Sequence, residues 1–392
     1  QILIYSSVFH EGNPLEMQLM DASGNLVYSS LKQLPVGLID ENIGELKIAA
    51  SSDGGFILSC LTSQNLHEAS ELRVQRLDAN LEPVWGSENP LILSNSHHFK
   101  DLDMAVDASD NTWLAVVRML NGHRDMQVEM LKLSPDGIPA FSTQTVSLST
   151  ENKCSPRYSL FSNKAMLTWG DNNGDQISLL RQIFTASGEG LLTGDEARIS
   201  SRLYGAAYLF GVYALGSKTI CLMYDERGGW KQVYYQILDS GMNQYLQENG
   251  QALDPSDDVQ HTIHVAKASP QNTLYVLYSK YYGDTNNMLY LQEIDAEGAQ
   301  LYPGSGILLG TGDFFGEQAT IGFENESAYV YWAYPKLEEG IYRIAIKGQR
   351  IVAGAIQWEA GGLDFCSQPQ GEASYPDAQG RYLIFSNRSI PE

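Results

Sequence analysis

The fold of this chain is decided by a stretch in its first quarter, Val74-Gln75-Arg76-Leu77-Asp78-Ala79-Asn80. It is the clearest copy of a degenerate phrase whose ideal form is Gln-x-apolar-Asp-Ala-x-Gly. The phrase recurs seven times. Its Asp position, here called the anchor, falls at Asp21, Asp78, Ser134, Thr185, Asp239, Asp295 and Lys347. Successive anchors lie about 54 residues apart, close to the repeat length of about 40–50 residues that is typical of propeller blades.

The seven units predict an all-β fold, a seven-bladed β-propeller with four-stranded antiparallel blades. They fill nearly the whole chain, and each unit needs its neighbours to bury its faces. We therefore expect a single propeller domain across residues 1–392, although this length could also hold two or three ordinary domains. Residues 2–9 and 382–387 both resemble the second strand of a unit, so the sequence leaves open how the ring closes.

The second unit shows the expected blade most clearly. A short strand at 46–50 is followed by the turn signal Asp53-Gly54-Gly55, and an apolar strand runs over 56–60. After a polar loop, the alternating segment 71–77 predicts a third strand, and Val84-Trp85 begins the outer one. Gln75 lies two residues before apolar Leu77 and thus on the same strand face, which predicts an amide that is at least half-buried and can tie a neighbouring loop.

A large or aromatic residue stands seven positions after most anchors. Trp85 and Phe141 are examples, and we expect both to pack between the outer strands of adjacent blades. Gly stands three positions after four of the anchors, where a turn with positive φ favours it.

The net charge of −22 disfavours two classes of partner. Nucleic acid and anionic lipid would both be repelled, so we expect neither nucleic-acid binding nor membrane insertion. The same charge suits solubility outside the cell, or acidic clusters that collect Ca²⁺. Because the chain opens directly on Gln1-Ile2-Leu3, we expect a secreted or cell-surface protein whose signal peptide has been removed, or a fragment cut from a longer chain.

The four cysteines predict free thiols and no disulfide. Cys60 and Cys221 lie in apolar strands of different units, where a free thiol behaves as a small hydrophobe. Cys154 and Cys366 precede first strands of units that are not adjacent. No cysteine or histidine spacing suggests zinc.

The repeat resembles that of secreted bacterial β-propellers with Asp-Gly-x-Gly-Gly, Ala-Gln-Arg-Leu-Asp-Ala-Asn-Gly and Val-Trp-x-x-x-Gly segments. Here the match is best at Ser52-Asp53-Gly54-Gly55-Phe56, at 74–80 and at Val84-Trp85-Gly86. The resemblance covers essentially the whole chain. It implies an exported surface module but no particular activity, because propellers host many unrelated functions.

Motifs of catalysis are scarce in the sequence. The segment 109–113 is similar to an Asp-box but lacks its glycine, and His261-x-x-His264 places its imidazoles on opposite faces of a strand. The best metal candidate is a weak one, Ca²⁺ held by Asp171, Asn173 and Asp175, since oxygen ligands alternate there around a Gly bend. A solvated turn is the simpler interpretation, and no other cofactor is expected.

The loops after the second strands vary most between units, and a propeller gathers such loops on one face. We predict that this face is the binding surface, because aromatic and Arg side chains contribute most to interfaces. Its candidate residues are Arg118, Arg124, Trp169, Asp171, Tyr224, Trp230, Tyr281, Tyr282 and Tyr334.

Without a visible nucleophile or acid–base pair, the sequence favours a non-catalytic exported or cell-surface propeller. It would bind another protein or a surface polysaccharide, or serve as a structural module. The alternatives are a carbohydrate-binding propeller, or a glycosidase or lyase whose site lies at the mouth of the central channel.

Overall fold

A computed structural model gives the fold, in which every regular element of the described residues is a β-strand. The structure describes residues 2–6, 16–20, 27–30, 32–33, 42–63, 71–85, 91–94, 98–120, 125–147, 152–161, 164–173, 176–192, 197–204, 209–227, 229–239, 241, 243–247, 249–255, 259–282, 287–312, 319–338, 341–369, 372–376 and 382–386. Over these ranges there is no helix that could span a membrane.

The chain divides into two compact units, Gln1–Ser201 and Arg202–Glu392. Sheets 1 to 4, in chain order, begin in the first unit. Sheet 1 comprises β1 (Ile2–Ser6), β2 (Glu16–Met20) and β3 (Lys32–Gln33). Sheet 2 comprises β4 (Asn42–Ala50), β5 (Phe56–Ser63), β6 (Glu71–Leu77) and β7 (Leu91–Ser94). Sheet 3 comprises β8 (His98–Val106), β9 (Thr112–Leu120), β10 (Asp125–Leu133) and β11 (Gln144–Thr145). Sheet 4 comprises β12 (Asn152–Phe161), β13 (Lys164–Asn173), β14 (Gln176–Thr185) and β15 (Ala197–Tyr204).

The second unit contains four more sheets. Sheet 5 comprises β16 (Leu209–Leu215), β17 (Lys218–Asp225), β18 (Gln232–Leu238) and β19 (Gln251–Ala252). Sheet 6 comprises β20 (Gln260–Ala268), β21 (Leu274–Tyr281), β22 (Asn287–Ile294) and β23 (Ile307–Thr311). Sheet 7 comprises β24 (Ala319–Glu324), β25 (Ser327–Glu338), β26 (Ile341–Val352), β27 (Ala355–Ile356) and β28 (Leu363–Pro369). Sheet 8 comprises β29 (Glu372–Pro376) and β30 (Tyr382–Ser386).

Consecutive strands pair antiparallel in these sheets, except in sheet 7, where β28 pairs with β26 and not with β27. Sheets 2 to 6 are four-stranded meanders in which each strand neighbours the next along the chain. This confirms the all-β class and the four-stranded antiparallel blade. Sheet 1 has three strands, sheet 7 five and sheet 8 two in the described ranges, so the count of seven blades stays a prediction.

The anchor side chain closes the turn between the third and fourth strands. Asp78 Oδ1 accepts hydrogen bonds from the backbone N–H of Asn80 (2.8 Å) and of Glu82 (2.9 Å). Asp295 does the same for Glu297 and Ala299. Because the bond requires a short oxygen-bearing side chain, Asp, Ser and Thr dominate the anchors.

The described glutamines of the repeat are at least half-buried, as predicted, and those of the later copies tie two parts of their own sheet. Gln75 differs, because its Nε2 has no hydrogen-bond partner among the described residues. Gln292 is fully buried, and its Oε1 accepts from the N–H of Glu293 (3.0 Å) and of Tyr302 (3.1 Å). Its Nε2 donates to the carbonyl of Tyr302 at 3.0 Å. Gln236 makes the corresponding bonds to Ile237 and Leu246.

The same pattern of hydrogen bonds identifies a different residue as the seventh anchor. Gln349 is fully buried, and its Oε1 accepts from the N–H of Arg350 and of Trp358. The seventh phrase is therefore Gln349-Arg350-Ile351-Val352 and its anchor is Val352, five residues after the expected Lys347. Lys347 lies inside β26 instead, paired with Trp332.

Adjacent sheets meet where the large residue seven positions after one anchor covers the turn glycine of the next sequence repeat. Trp85 is buried, and its indole N–H donates to the carbonyl of Pro135 at 2.9 Å. A Cβ on Gly137 would lie 3.0 Å from that indole ring, and one on Gly188 would overlap the ring of Phe141. In the second unit, Leu246 covers Gly298 in the same way.

Between the sheets lie apolar clusters built from both faces. One joins sheets 2 and 3 and contains Val74, Trp85, Phe99 and Leu131. Cys60, Cys154 and Cys221 are free thiols as predicted, whereas the Cys366 side chain lies outside the described part.

Candidate functional site

The predicted binding residues fall into two groups, one in each unit. Arg118, Trp169 and Asp171 belong to the first unit, and Tyr224, Trp230, Tyr281, Tyr282 and Tyr334 belong to the second. Arg124 lies outside the described residues.

In the first unit the predicted residues serve the sheets themselves. Trp169 is fully buried in an apolar cluster between sheets 3 and 4. Asp171 is also buried, and one of its carboxylate oxygens lies 2.6 Å from the ammonium of Lys153, which is fully buried as well. Arg118 donates to the carboxylate of Glu129 at 2.6 Å.

The expected calcium ligands are only partly described. Asp171 is engaged by Lys153, a cation already neutralising the carboxylate that was expected to face the metal. For Asn173 only the backbone, within β13, is described, and Asp175 lies outside the described residues. No cluster of three metal-ligating side chains occurs within the described ranges. The calcium site stays a prediction.

The acidic side chains of the first strands are also occupied. Glu45 accepts from the N–H of Leu102 at 2.6 Å, and Asp101 accepts from the N–H of Ser155 at 2.9 Å. Both N–H groups lie at register shifts of β8 and β12, where the ladder leaves a donor unpaired. Asp103 accepts from Tyr158, and burial raises the pKa of its carboxyl. These carboxylates therefore link neighbouring sheets.

In the second unit, three exposed aromatic side chains lie at one end of sheets 5 and 6. Trp230 is 52% exposed, and Tyr281 and Tyr282 are each 43% exposed. The sheets bring them together, because the N–H of His261 donates to the carbonyl of Lys231 and Gln260 pairs with Tyr281. We call Trp230, Tyr281 and Tyr282 the aromatic edge.

A buried polar layer lies beneath the aromatic edge. Lys280 forms an ion pair with Asp254, both essentially without solvent exposure, and its ammonium donates to Ser305 Oγ at 2.7 Å. The Tyr278 hydroxyl donates to the carbonyl of Ser305 at 2.6 Å. His261 is fully buried, with its ring centroid 5.5 Å from that of Tyr278. These bonds tie the end of β21 to the segment after β19 and to the segment before β23.

A second charged group flanks this layer. Asp225 is fully buried and paired with Arg227, whose guanidinium also donates to the carbonyl of Asn249 at 2.7 Å. Burial raises the pKa of the Asp225 carboxyl, and Arg227 offsets part of that shift. The Tyr224 hydroxyl accepts from the N–H of Ile263 at 2.6 Å, which places this predicted binding residue inside the fold.

One cation stays close to the surface. The ammonium of Lys231 lies 4.7 Å from the centre of the Tyr224 ring, next to Trp230 in the chain, and Lys231 is only half-buried. Tyr334 belongs elsewhere, in sheet 7, where its hydroxyl donates to Asp364 at 2.8 Å.

Sequence reasoning found the aromatic edge but missed Asp254, Lys280 and Tyr278. These residues come from separate segments, and no spacing along the chain marks them as partners. His261 was considered only with His264, whereas its contacts are with Lys231, Val233 and Tyr278.

No protein-family model and no curated protein matches the sequence. Among solved structures, a polysaccharide lyase of family PL25, an ulvan lyase bound to -[GlcA(1-4)Rha3S]-, aligns over 90% of this chain and 90% of its own, with 9% identity and a TM-score of 0.51. An α-L-arabinanase of Penicillium chrysogenum complexed with arabinobiose covers 80% of this chain and 94% of its own, with 11% identity and a TM-score of 0.42. A prolyl endopeptidase covers 97% of this chain but 52% of its own, with 13% identity and a TM-score of 0.49.

Of these three, the lyase alone reaches a TM-score of 0.5, and at 9% identity its likeness concerns the fold. It supports a β-propeller. It also contradicts the main functional prediction from the sequence, a non-catalytic interaction or structural module, because this neighbour is named as a polysaccharide lyase.

Proposed function

We propose that this chain is a carbohydrate-active enzyme that cleaves a polysaccharide by β-elimination, with its substrate held on the aromatic edge. The observation that carries the proposal is the grouping of Trp230, Tyr281 and Tyr282, exposed on a rigid polar layer, in a fold that a polysaccharide lyase shares. Exposed aromatic rings offer flat apolar faces on which sugar rings pack, and their polar tips remain in water.

Elimination makes three demands on the protein. A base removes the proton from the carbon beside the substrate's carboxylate. The glycosidic C–O bond then breaks towards oxygen as a C=C bond forms, and the departing oxygen takes up a proton. A cation near the carboxylate stabilises the charge that develops. Lys231, which is half-buried, supplies a cation, and the partly exposed Tyr281 and Tyr282 carry hydroxyl groups of a kind that can exchange protons.

A hydrolase would need a different arrangement. Two carboxyl groups about 5–10 Å apart must face the glycosidic bond. At this end of the second unit, Asp225 and Asp254 are both fully buried and already paired with Arg227 and Lys280. Neither of these two carboxyl groups is free to act on a glycosidic bond, which supports elimination.

The experiment incubates the protein with a panel of polysaccharides and follows two products. Elimination yields one ultraviolet-absorbing unsaturated end for each new reducing end. Reducing ends without ultraviolet absorbance would overturn elimination in favour of hydrolysis. No product from any polysaccharide would overturn the proposal that the protein is a carbohydrate-active enzyme.

Matched variants locate the site. Tyr282→Phe and Tyr281→Phe remove only a hydroxyl, and loss of a proton-transfer group lowers kcat by about 10²-fold or more. We expect that loss in at least one of them, and we expect Trp230→Ala to raise KM. Tyr245→Phe is the control, since Tyr245 is exposed to a similar extent (47%) but bonds to Glu297 elsewhere in the unit. Unchanged kinetics in all three site variants would place the reaction elsewhere.

The wider context of the enzyme is part of the proposal. It includes seven blades in a single ring, which the repeat predicts, and a location outside the cell, which the resemblance to exported propellers implies. A surface polysaccharide is the partner that suits this reaction.

A further inference from the structure

A cavity of about 390 Å³ lies in the first unit, where one face of sheet 3 packs against β6 and β7 of sheet 2. Its volume falls in the range of small-molecule sites, about 300–1,000 Å³. All of its lining residues belong to the first unit, so it is separate from the site proposed above.

The polar end of the cavity is built from an ion pair and two hydroxyl groups. Arg118 and Glu129 face each other at 2.6 Å, and Glu129 is only 7% exposed. Thr145 pairs with Glu129 across β10 and β11, and Thr143 stands two residues before it. Within the described residues, Arg118 Nε has no hydrogen-bond partner. This end therefore offers donors and acceptors side by side.

The opposite walls are apolar and firmly held. Phe99 and Val116 line the cavity and belong to the apolar cluster that joins sheets 2 and 3. Both are almost fully buried, so the walls are part of the packed core.

The chemistry of this lining selects among ligands. A charged ligand gains little net attraction, because Arg118 and Glu129 already neutralise each other. A wholly apolar ligand would strip water from both charges without replacing their hydrogen bonds, which is costly. A ligand with adjacent hydroxyls on one side and C–H groups on the other satisfies both ends.

We propose that this cavity is a binding site for a neutral sugar residue. Neighbouring hydroxyls accept from Arg118, donate to Glu129 and exchange hydrogen bonds with Thr143 and Thr145, while the C–H face of the ring lies against the apolar walls. The site stands on its own geometry and does not depend on the proposed enzymatic activity.

The test measures saturation transfer by NMR from the whole protein to glucose, galactose, mannose and xylose. Thr143→Trp fills the mouth of the cavity from an exposed position, and Ser142→Trp adds the same bulk at the neighbouring exposed residue, which does not line it. We expect transfer to at least one sugar in the parent and in Ser142→Trp, and a loss of at least tenfold in Thr143→Trp.

A second variant covers the case in which Thr143→Trp does not fold. Thr145→Val changes an exposed residue to one of the same shape without the hydroxyl group, so the fold should be kept, and we expect several-fold weaker sugar binding. The proposal is overturned if no sugar shows transfer in the parent, if both variants bind as the parent does, or if hexanoate or benzene competes with the sugar. Polysaccharide turnover is measured separately, so failure of this site and failure of the proposed enzyme are distinct results.

Discussion

At the scale of single residues, the repeated polar side chains act on backbone groups that the strands leave unpaired. The sequence predicted that the glutamines are buried, because their spacing puts them on an apolar strand face. It could not predict that Trp169 and Tyr224 are buried. In the sequence, a buried aromatic residue at a strand end has the same pattern of neighbours as an exposed one. Their exposure depends on which neighbouring strand covers them, and that is decided by tertiary packing.

Replacing Gln292 by Leu tests the role of the buried amide. The change leaves the N–H and the carbonyl of Tyr302 buried without their partner, at about 1–3 kcal/mol for each group. We expect the free energy of unfolding to fall by about 2–4 kcal/mol, measured by denaturant titration. Gln271→Leu, at an exposed turn, is the control and should change it by less than about 0.5 kcal/mol. Equal stability of the two variants would refute the role of the amide.

Asp53 provides a pH-dependent test at the same scale. Hydrogen bonds from Ser51 and from the N–H of Gly55 lower the pKa of its carboxyl from 3.8 to about 2, with a further contribution from Arg76. A lowered pKa stabilises the fold fully above pH 3.8, and this contribution is lost as the pH falls towards about 2. The side chain is half exposed, so the effect is at most about 1 kcal/mol.

We therefore expect Asp53→Asn to be less stable than the parent at neutral pH, with the difference shrinking between pH 3.8 and about 2. Ser51→Ala should raise the pKa of Asp53, followed by NMR of the carboxyl carbon. A pKa that stays in place after this change would show that Ser51 is not its main cause.

At the scale of strands and turns, the repeat predicted the existence of the strands but misplaced the seventh anchor. In β26 the segment Ile344-Ala345-Ile346 has the same alternation as a true copy, so apolar spacing alone favoured Lys347 as the anchor. The hydrogen bonds of Gln349 decide for Val352. A long strand repeats its alternation, and only the bonded turn that follows fixes the register.

Gly188→Ala tests the contact between adjacent sheets. The glycine has a φ of +85°, and the new Cβ would also overlap the Phe141 ring. Gly304→Ala is the matched control, because Gly304 has a φ of +60° but open space around it. We expect a loss of about 1 kcal/mol from backbone strain in the control and a further 1–3 kcal/mol from overpacking at Gly188. Equal losses in the free energy of unfolding, measured by denaturant titration, would show that the Phe141 side chain moves aside without destabilising the fold.

At the scale of the whole chain, the number of repeats and their period predicted the class of fold, but composition could not predict the function. The aromatic edge and the layer beneath it draw on β17, β20, β21 and the segments between them, and these side chains meet only after the sheets have formed. Nothing in their spacing along the chain separates them from other strand-end residues.

If the seven sequence repeats close into a single ring, the chain should unfold in one cooperative transition, because every sheet is then covered on both sides. For 392 residues unfolding together, a loss of 1 kcal/mol lowers Tm by about 1 °C, and by about twice as much if only half of the chain unfolds. Gly188→Ala lies in the first unit and Gln292→Leu in the second, so calorimetry of both variants tests the coupling. We expect a single heat-absorption peak in each, moved down by about 2–4 °C in either variant. Two peaks, with each variant moving a different one by about twice that amount, would show that the units unfold independently and would refute the single ring.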